Sequence, residues 1–388
     1  MSPNGSGARW ALAIICLLAF AVLPAAAAAA ETPTTICIPT KAGKALVSGE
    51  NGTCKENGYN AVDLPGSGGL EVLNKVLPHM SYIEKGVGGK PTVRFSAVNV
   101  QLVDGEGKTI CPPGVELGSV VCNGEGNLVI GYDETAPEPG CEKRPQHCDV
   151  QFGSHNLILG TLQSFSSYGG IVAGTDNQIL APFASVTGGV NNLATGEEAT
   201  AVSGGEANIA GGRVASVSGG WENHAGGGGE PYASVSGGVE NRAEGFGAWV
   251  GSGIANVASG NLASVSGGFF NLAEGGFASV SGGGGNTASG LTASVSGGVG
   301  STASGGDASV SGGALNTASG EGASISGGQN NTASGGTASM SGGDFNQARG
   351  FDSWVGGGKF NKVLSEGEYA SIFGGKEEKT STPFDAIP

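Results

Sequence analysis

The chain has 388 residues, of which 76 are glycine, 13% are charged and 6% are aromatic, and its formal net charge at pH 7 is -15. Glycine at this density without a three-residue period excludes collagen and indicates either disorder or a repeat whose turns require glycine. Because phosphate groups are bound through Lys and Arg, the acidic balance argues against nucleic acid and anionic membranes as partners.

Residues 1–30 have the pattern of a cleavable signal peptide. Arg9 precedes an apolar run from Trp10 to Val22, and an alanine stretch ends at Ala30. The run is short for a membrane span, and the small residues after it suit an A-x-A cleavage site. We therefore expect an exported chain, extracellular or at the cell surface, with no membrane span after cleavage.

Residues 31–126 are expected to form a small α+β cap or neck. A strand-like pattern runs from Thr92 to Val103, and residues 104–107 form a turn signal. A short helix, limited by Pro78, would either trimerise as a neck or cover the end of the following sheet. Its apolar residues at helical spacing are Leu70, Leu73, Leu77 and Met80, with Val76 and Ile83 beside them.

Six cysteines remain after the signal peptide, and an even number in an exported chain predicts disulfides. Three close pairs bracket loops that contain Pro or Gly. A zinc site is the alternative for the last pair. Because the spacing lacks a C-x2-C knuckle, the disulfide is favoured over zinc, and we expect no metal or cofactor. The favoured pairs are Cys37 with Cys54, Cys111 with Cys122 and Cys141 with Cys148, and the zinc alternative uses Cys141, His147, Cys148 and His155.

A repeat dominates the remainder of the chain. The valine of A-S-V-S-G-G, or a residue in its place, recurs every 15 residues from Val235 to Val355, with spacings of 16, 18 and 17 elsewhere. Such a period predicts a parallel β-solenoid. In each coil, two alternating segments predict two strands with small apolar residues inward, and serine outward on the first. Glycines at the two corners would supply positive φ angles and let successive backbones stack closely.

Asparagine recurs six residues after the valine and predicts a structural ladder inside the solenoid. At the strand spacing of about 4.8 Å, each amide can hydrogen-bond to the next. A ligand role for sugar or metal is the alternative, but repetition on nearly every rung is what a structural ladder requires. Ser301 is the one substitute among Asn192, Asn208, Asn223, Asn241, Asn256, Asn271, Asn286, Asn316, Asn331, Asn346 and Asn361.

The alternating A-x-V-x-G-G and N-x-A-x-G segments resemble the head repeats of YadA-like trimeric autotransporter adhesins, and N-L-V-I-G and N-L-I-L-G at residues 127–131 and 156–160 resemble them more closely still. The resemblance implies a left-handed β-roll over residues 127–375 and a homotrimer, which would compensate for the thin core. Residues 376–388 are expected to be a flexible tail. Because neither a heptad stalk nor barrel strands follow the repeats, we expect a released protein or one held by another component.

The sequence contains no catalytic constellation, which predicts a protein that is not an enzyme. The four histidines lie in separate segments without an H-E-x-x-H motif, and serine occurs in ladders rather than beside a fixed histidine and acid. A polysaccharide-cleaving enzyme on a β-helix is the least favoured reading, because clustered acids are missing.

Departures from the repeat mark the candidate binding residues. Trp249 and Trp354 replace an outward serine, and Gly251 and Gly356 two positions later leave space for each indole along the sheet. Such tryptophans stack on sugars or anchor a partner, or else pack against a subunit or mark a bend. A second cluster, which would be a trimer contact or a ligand surface, comprises Phe269, Phe270, Ile254, Val257 and Leu272.

A row of hydroxyls supports an alternative function. Four coils carry Thr-x-Ser from Thr287 to Ser334, which resembles the T-x-T rows of insect antifreeze β-helices. These rows are mixed, and tryptophans interrupt the opposite Ser-x-Ser row. The sequence therefore favours an adhesin-like head that binds a host-surface protein or a glycan, with ice binding as the alternative.

Overall fold

The computed structural model describes residues 34–39, 47–48, 53–54, 59–64, 75–114, 120–134 and 150–388. The chain divides into two units, Met1–Val100 and Gln101–Pro388. In the described part, almost all regular structure is β. No helix among these residues has the length and apolar character needed to cross a membrane.

The first unit contains two small antiparallel sheets among its described residues. Thr34–Pro39 pairs with Val47–Ser48 and with Tyr59–Leu64, while Met80–Ile83 pairs with Thr92–Phe95. Short 3-10 turns cover Leu77–His79 and Val87–Gly89.

The predicted helix is wrong at its C-terminal end, because Met80 and Ile83 lie in a strand. The 3-10 turn that contains Pro78 ends at His79, and the extended backbone of Met80 begins the strand. Leu70 and Leu73 lie outside the described residues. The strand predicted from Thr92 is shorter than expected and ends at Phe95.

The second unit is a parallel β-solenoid of about 15 turns, which confirms the predicted architecture. Strands pair in register with the coils before and after, so that Val265 lies beside Val280 and Ala273 beside Ala288. Two long sheets result, which we call the valine sheet and the asparagine sheet after their repeated inward residues.

The valine sheet comprises Leu128–Ile130, Leu157–Thr161, Ile171–Thr175, Ser185–Val186, Ala201–Val202, Ser216–Val217, Ser234–Val235, Trp249–Val250, Ser264–Val265, Ser279–Val280, Ser294–Val295, Ser309–Val310, Ser324–Ile325, Ser339–Met340, Trp354–Val355, Ser371–Ile372 and Ala386–Ile387. The asparagine sheet comprises Ser164–Phe165, Gln178–Ile179, Leu193–Ala194, Ile209–Ala210, His224–Ala225, Arg242–Ala243, Val257–Ala258, Leu272–Ala273, Thr287–Ala288, Thr302–Ala303, Thr317–Ala318, Thr332–Ala333, Gln347–Ala348, Lys362–Val363 and Lys379–Thr380.

A third ladder, made of single-residue bridges, lies between the two strands of each coil along the chain. Ile254 pairs with Phe269 and Phe269 with Gly284, and the same pairing continues to Lys376. This bridge ladder was not predicted from the sequence. Its side chains vary from coil to coil because only the backbone makes the pairing, so no residue pattern marks it.

Inside the solenoid, the small apolar residues form one continuous core. Ala263, Val265 and Ala273 are buried in a typical coil, and the core extends from Ile158 to Ile372. The outward Ser264 is half-buried and Ser266 is exposed, so the alternation predicted from the sequence is the one observed.

In most coils glycine supplies the positive φ angle at only one of the two predicted corners, Gly247 and Gly322 being exceptions at the other. Gly268 has φ +90, whereas at the other corner Leu262, two residues after Gly260, takes φ 56. Gly260 is needed there for another reason, because a Cβ on it would lie 2.1 Å from the Gly275 carbonyl oxygen. The left-handed Leu262 is held by its N–H, which donates to the Phe246 carbonyl at 2.7 Å.

The first strand of the solenoid is Leu128–Ile130, and the described residues 101–114 and 120–127 before it belong to the same unit. Asn127 Nδ2 donates to the Gly153 carbonyl at 2.8 Å, and the Asp104 N–H donates to His155 Nε2 at 3.4 Å. These bonds occupy backbone and side-chain groups at the beginning of the stack.

The Cys111–Cys122 disulfide confirms one predicted pair. The other two predicted pairs involve the side chains of Cys37, Cys141 and Cys148, which lie outside the described residues, as does His147 of the zinc alternative.

The flexible tail predicted for residues 376–388 is wrong, because these residues form a last coil. Lys379–Thr380 pairs with Lys362–Val363, and Ala386–Ile387 pairs with Ser371–Ile372. Thr380 replaces the inward alanine and Ile387 the inward valine. The repeat was not recognised in the sequence because Glu378 replaces the ladder asparagine and Asp385 replaces the first inward alanine of the regular coil.

The asparagine ladder lies inside the solenoid, and all eleven asparagines of the sequence analysis are buried. Asn286 is typical. Its Nδ2 donates to the carbonyls of Gly282 and Gly298, both at 2.9 Å, and its Oδ1 accepts the Ser301 N–H at 3.0 Å. Each amide therefore joins two coils through backbone groups.

Direct bonds between neighbouring amides were expected on every rung but occur only from Asn177 to Asn256, at 3.1 to 3.2 Å, within the described residues. Beyond Asn256 the amides bond to the backbone instead. Toward the N-terminus the ladder extends further than expected, because Gln163 Oε1 accepts the Asn177 N–H at 3.1 Å. Gln163 was not recognised in the sequence because the rung was identified by its asparagine, and here a glutamine takes that place.

Replacing Gly283 by alanine should lower the free energy of unfolding by about 2 kcal/mol or more. Gly283 has φ +88, and a Cβ there would lie 2.1 Å from the Gly298 carbonyl oxygen. Gly282→Ala is the matched control, because its Cβ would meet nothing within 4 Å. Denaturant unfolding followed by circular dichroism measures both, and equal effects of the two variants would contradict the stacking geometry.

Asn286→Leu should destabilise the solenoid by about 1 to 3 kcal/mol, since it leaves buried backbone groups without partners. Adding an amide at the neighbouring rung, which has Ser301 in place of asparagine, provides the control. Ser301 Oγ accepts the Asn316 N–H only at 3.4 Å, so Ser301→Asn should raise the unfolding free energy by about 1 kcal/mol. Unchanged unfolding of Asn286→Leu would show that the ladder contributes no stability.

Candidate functional site

The outward face of the valine sheet carries no charge between residues 185 and 373. Its outward positions hold Ser, Thr, Ala, Gly, Trp or Phe in every coil, whereas the charged residues of this span lie on the asparagine sheet, the bridge ladder and the corners. The valine sheet therefore presents a long surface of hydroxyls and glycines that only aromatic side chains interrupt.

Trp249 lies flat on this surface. A Cβ on Gly251 would lie 3.1 Å from both Cη2 and Cζ2 of the indole, so the six-membered ring sits over the glycine. The indole Nε1 donates to Ser236 Oγ of the preceding coil at 3.3 Å. One ring face is thus against the sheet, the other faces solvent, and the side chain is 39% exposed.

Trp354 repeats this arrangement seven coils later. Its Nε1 donates to Ser341 Oγ at 3.3 Å, and a Cβ on Gly356 would lie 2.7 Å from the indole Cη2. The Phe373 ring packs edge-on against this indole, with centroids 5.2 Å apart. Trp354 is therefore half-buried and its ring more firmly held than that of Trp249.

Six coils of Ser-x-Ser separate the two tryptophans, from Ser264 to Ser341, and their strands pair in register. Ser341 Oγ, which accepts from Trp354, is the one hydroxyl of this set that makes a hydrogen bond within residues 150–388. The other hydroxyls are available as both donors and acceptors.

Phe269 and Phe270 lie elsewhere, at the bridge ladder. They are 52% and 65% exposed, and their rings meet edge-on with centroids 6.2 Å apart. Ile254 is the bridge partner of Phe269, and Val257 lies beside Leu272 on the asparagine sheet. Ile254, Phe269 and Phe270 are exposed and Val257 and Leu272 are half-buried, and we call these five apolar residues the phenylalanine patch.

The four candidate binding residues thus form two separate surfaces rather than one site. Trp249 and Trp354 share the valine sheet, and Phe269 and Phe270 belong to the phenylalanine patch. Because residues two apart on a strand share a face, the Trp-x-Gly pattern could be read from the sequence. The indole partners Ser236 and Ser341 and the ring partner Phe373 were missed, since they belong to neighbouring coils.

Charged side chains lie on the asparagine sheet beside the phenylalanine patch, where Arg242 is the strand partner of Val257. Arg242 Nε lies 2.6 Å from Glu244 Oε1, and Arg242 is the strand partner of His224. Burial of the His224 ring, followed by the charge of Arg242, holds the pKa of His224 below its usual range, and Glu244 opposes this shift. Within the described residues, no three His, Cys, Asp or Glu side chains are grouped so that they could hold a metal ion.

The chain matches no protein-family model, and no curated protein matches it significantly in sequence.

Proposed function

We propose that the solenoid is the non-catalytic head of an exported, adhesin-like protein that binds its ligand through aromatic side chains at irregular coils. One observation carries this proposal: Trp249 and Trp354 are held flat and open on the valine sheet by the same pair of devices, a glycine and a serine. A large apolar ring that stays half exposed adds nothing to the core of the solenoid. A role in ligand binding explains why such a ring is kept on the surface.

Regular coils and irregular coils have different roles in this proposal. Uniform coils supply a stiff support, because each contacts only its neighbours and all are stacked in register. A periodic rod offers many equivalent positions, so a specific partner must recognise the departures from the period. The proposal includes export through the N-terminal signal, a left-handed roll and a homotrimer.

The phenylalanine patch supports the homotrimer. Ile254, Phe269 and Phe270 are each at least half exposed, which is unusual for neighbouring apolar residues on a monomeric surface. Association would cover them and add apolar contact to coils whose interior consists of small residues. The patch also lies off the valine sheet, so the assembly would leave Trp249 and Trp354 accessible.

Light scattering on the mature chain should give the mass of a trimer across micromolar concentrations. Phe269→Ser with Phe270→Ser should shift the mass toward the monomer, because both rings leave the patch. Thr302→Ser with Thr317→Ser is the control and should keep the trimer. A monomeric mass for the parent chain would refute the trimer without affecting the solenoid.

Ice binding is the second candidate, favoured by one observation. Thr287, Thr302, Thr317 and Thr332 lie side by side in register on the asparagine sheet. Their spacing is the strand repeat of about 4.8 Å, which a lattice-matching surface requires.

Two double variants separate the candidates. Trp249→Ala with Trp354→Ala should abolish binding to cell surfaces and leave ice growth unaffected, because adhesion depends on the irregular coils. Thr302→Leu with Thr317→Leu should leave cell binding intact. Thermal hysteresis in the parent that only the threonine variant loses would replace adhesion by ice binding; circular dichroism verifies that each variant folds.

A further inference from the structure

We propose that the valine sheet binds a neutral polysaccharide, with one part of the polymer stacked on Trp249 and another on Trp354. This inference rests on the proposed binding function and names the ligand class for its aromatic surface. It is carried by three features of the sheet, namely its two open indoles, its lack of charge and its rows of hydroxyls.

The indoles have the geometry of stacking platforms. Each ring lies over a glycine, and each Nε1 donates to a serine of the preceding coil at 3.3 Å. The polar edge of the ring is therefore satisfied within the protein, while one apolar face remains for a ligand. A sugar ring presents a flat face of C–H groups bordered by hydroxyls, which is complementary to an indole face bordered by serines.

The electrostatics select a neutral ligand. No Lys or Arg occupies an outward position of the valine sheet between residues 185 and 373, and the formal charge of the whole chain is -15. A sulfated or carboxylated polymer would meet no cation on this face and would be repelled by the acidic protein as a whole. Neutral sugars carry no such penalty.

The hydroxyl rows provide the polar contacts that such a ligand needs. The outward serines of the valine sheet from Ser264 to Ser339 are half or fully exposed, and their hydroxyls have no hydrogen-bond partner within residues 150–388. Each can donate and accept a hydrogen bond, as can each sugar hydroxyl. Apart from Phe373, which packs edge-on against Trp354, the other outward residues of the face between residues 185 and 373 are small. The indoles therefore stand on a shallow surface, whereas the anchors of protein partners typically fill pockets.

The separation of the platforms selects a polymer over a single sugar. Seven coils lie between Trp249 and Trp354, which at the strand repeat corresponds to about 34 Å. One chain that contacts both indoles gains affinity from the linkage of its two contacts. A short oligosaccharide can occupy only one platform at a time.

Affinity electrophoresis of the full mature chain tests the inference. The gels contain a soluble neutral β-glucan, an α-mannan or a xylan, with alginate and dextran sulfate as anionic polymers. We expect at least one neutral polymer, and neither anionic one, to retard the parent. The Trp249→Ala, Trp354→Ala double variant should migrate without retardation. Each single variant should raise the apparent Kd for the polymer by roughly a hundredfold, since the linkage is lost.

Trp221→Ala is the matched control. Trp221 is 40% exposed, almost the same as Trp249, but belongs to the bridge ladder, so its removal should leave retardation unchanged. Trp249→Phe, which keeps a flat ring, should restore part of the binding lost in Trp249→Ala. Circular dichroism verifies that every variant folds.

Other results would overturn the inference. Equal retardation by the anionic polymers would refute the neutral ligand, and retardation that survives in the double variant would refute the valine sheet as its site. If no polysaccharide retards the parent while cell-surface binding still requires both tryptophans, the ligand class is wrong and the proposed adhesion stands. If cell-surface binding is also absent, both proposals fail.

Discussion

Close stacking of one coil on the next, backbone against backbone, is the constraint on which the rest of this structure depends. At the corner residues the separation is so small that a Cβ on Gly283 would lie 2.1 Å from the next carbonyl oxygen. The asparagine amides bond to the same glycine carbonyls, as Asn286 does to Gly282 and Gly298. Glycine and asparagine are therefore two parts of one device, because only a corner without side chains lets the amide reach two coils.

This device explains how a solenoid with so little apolar volume per coil can be regular. Alanine and valine fill the interior, and a bulkier set would hold the two sheets apart and lengthen the bonds of the ladder. The small interior volume also limits which residues replace the repeat. Ile325 and Met340 take the place of the valine, but the alanines in the same coils are kept. The stability of the stack comes from its repetition rather than from any one coil.

Because stacking fixes only the backbone and the inward side chains, the outward residues can vary, and the surfaces of the solenoid differ in composition. The valine sheet keeps small hydroxyl residues and admits Trp249 and Trp354 only together with a glycine that makes room for each ring. The bridge ladder and the asparagine sheet carry the charges and the phenylalanine patch. The solenoid thus presents an uncharged face and an apolar patch on separate parts of its surface.

The sequence by itself determined the solenoid, the inward and outward residues, the asparagine rungs and the pairing of each tryptophan with a glycine. All of these are local, because a residue's place in a fifteen-residue period decides which way it points. Only the tertiary structure decided the bridge ladder, the left-handed corner at Leu262 and the last coil at residues 379–387. These depend on backbone bonds to a neighbouring coil, which leave no residue pattern. For the same reason, only the structure assigned Trp249 and Phe269 to different faces. It also showed that Ser236 contacts the Trp249 indole and that Phe373 contacts the Trp354 indole.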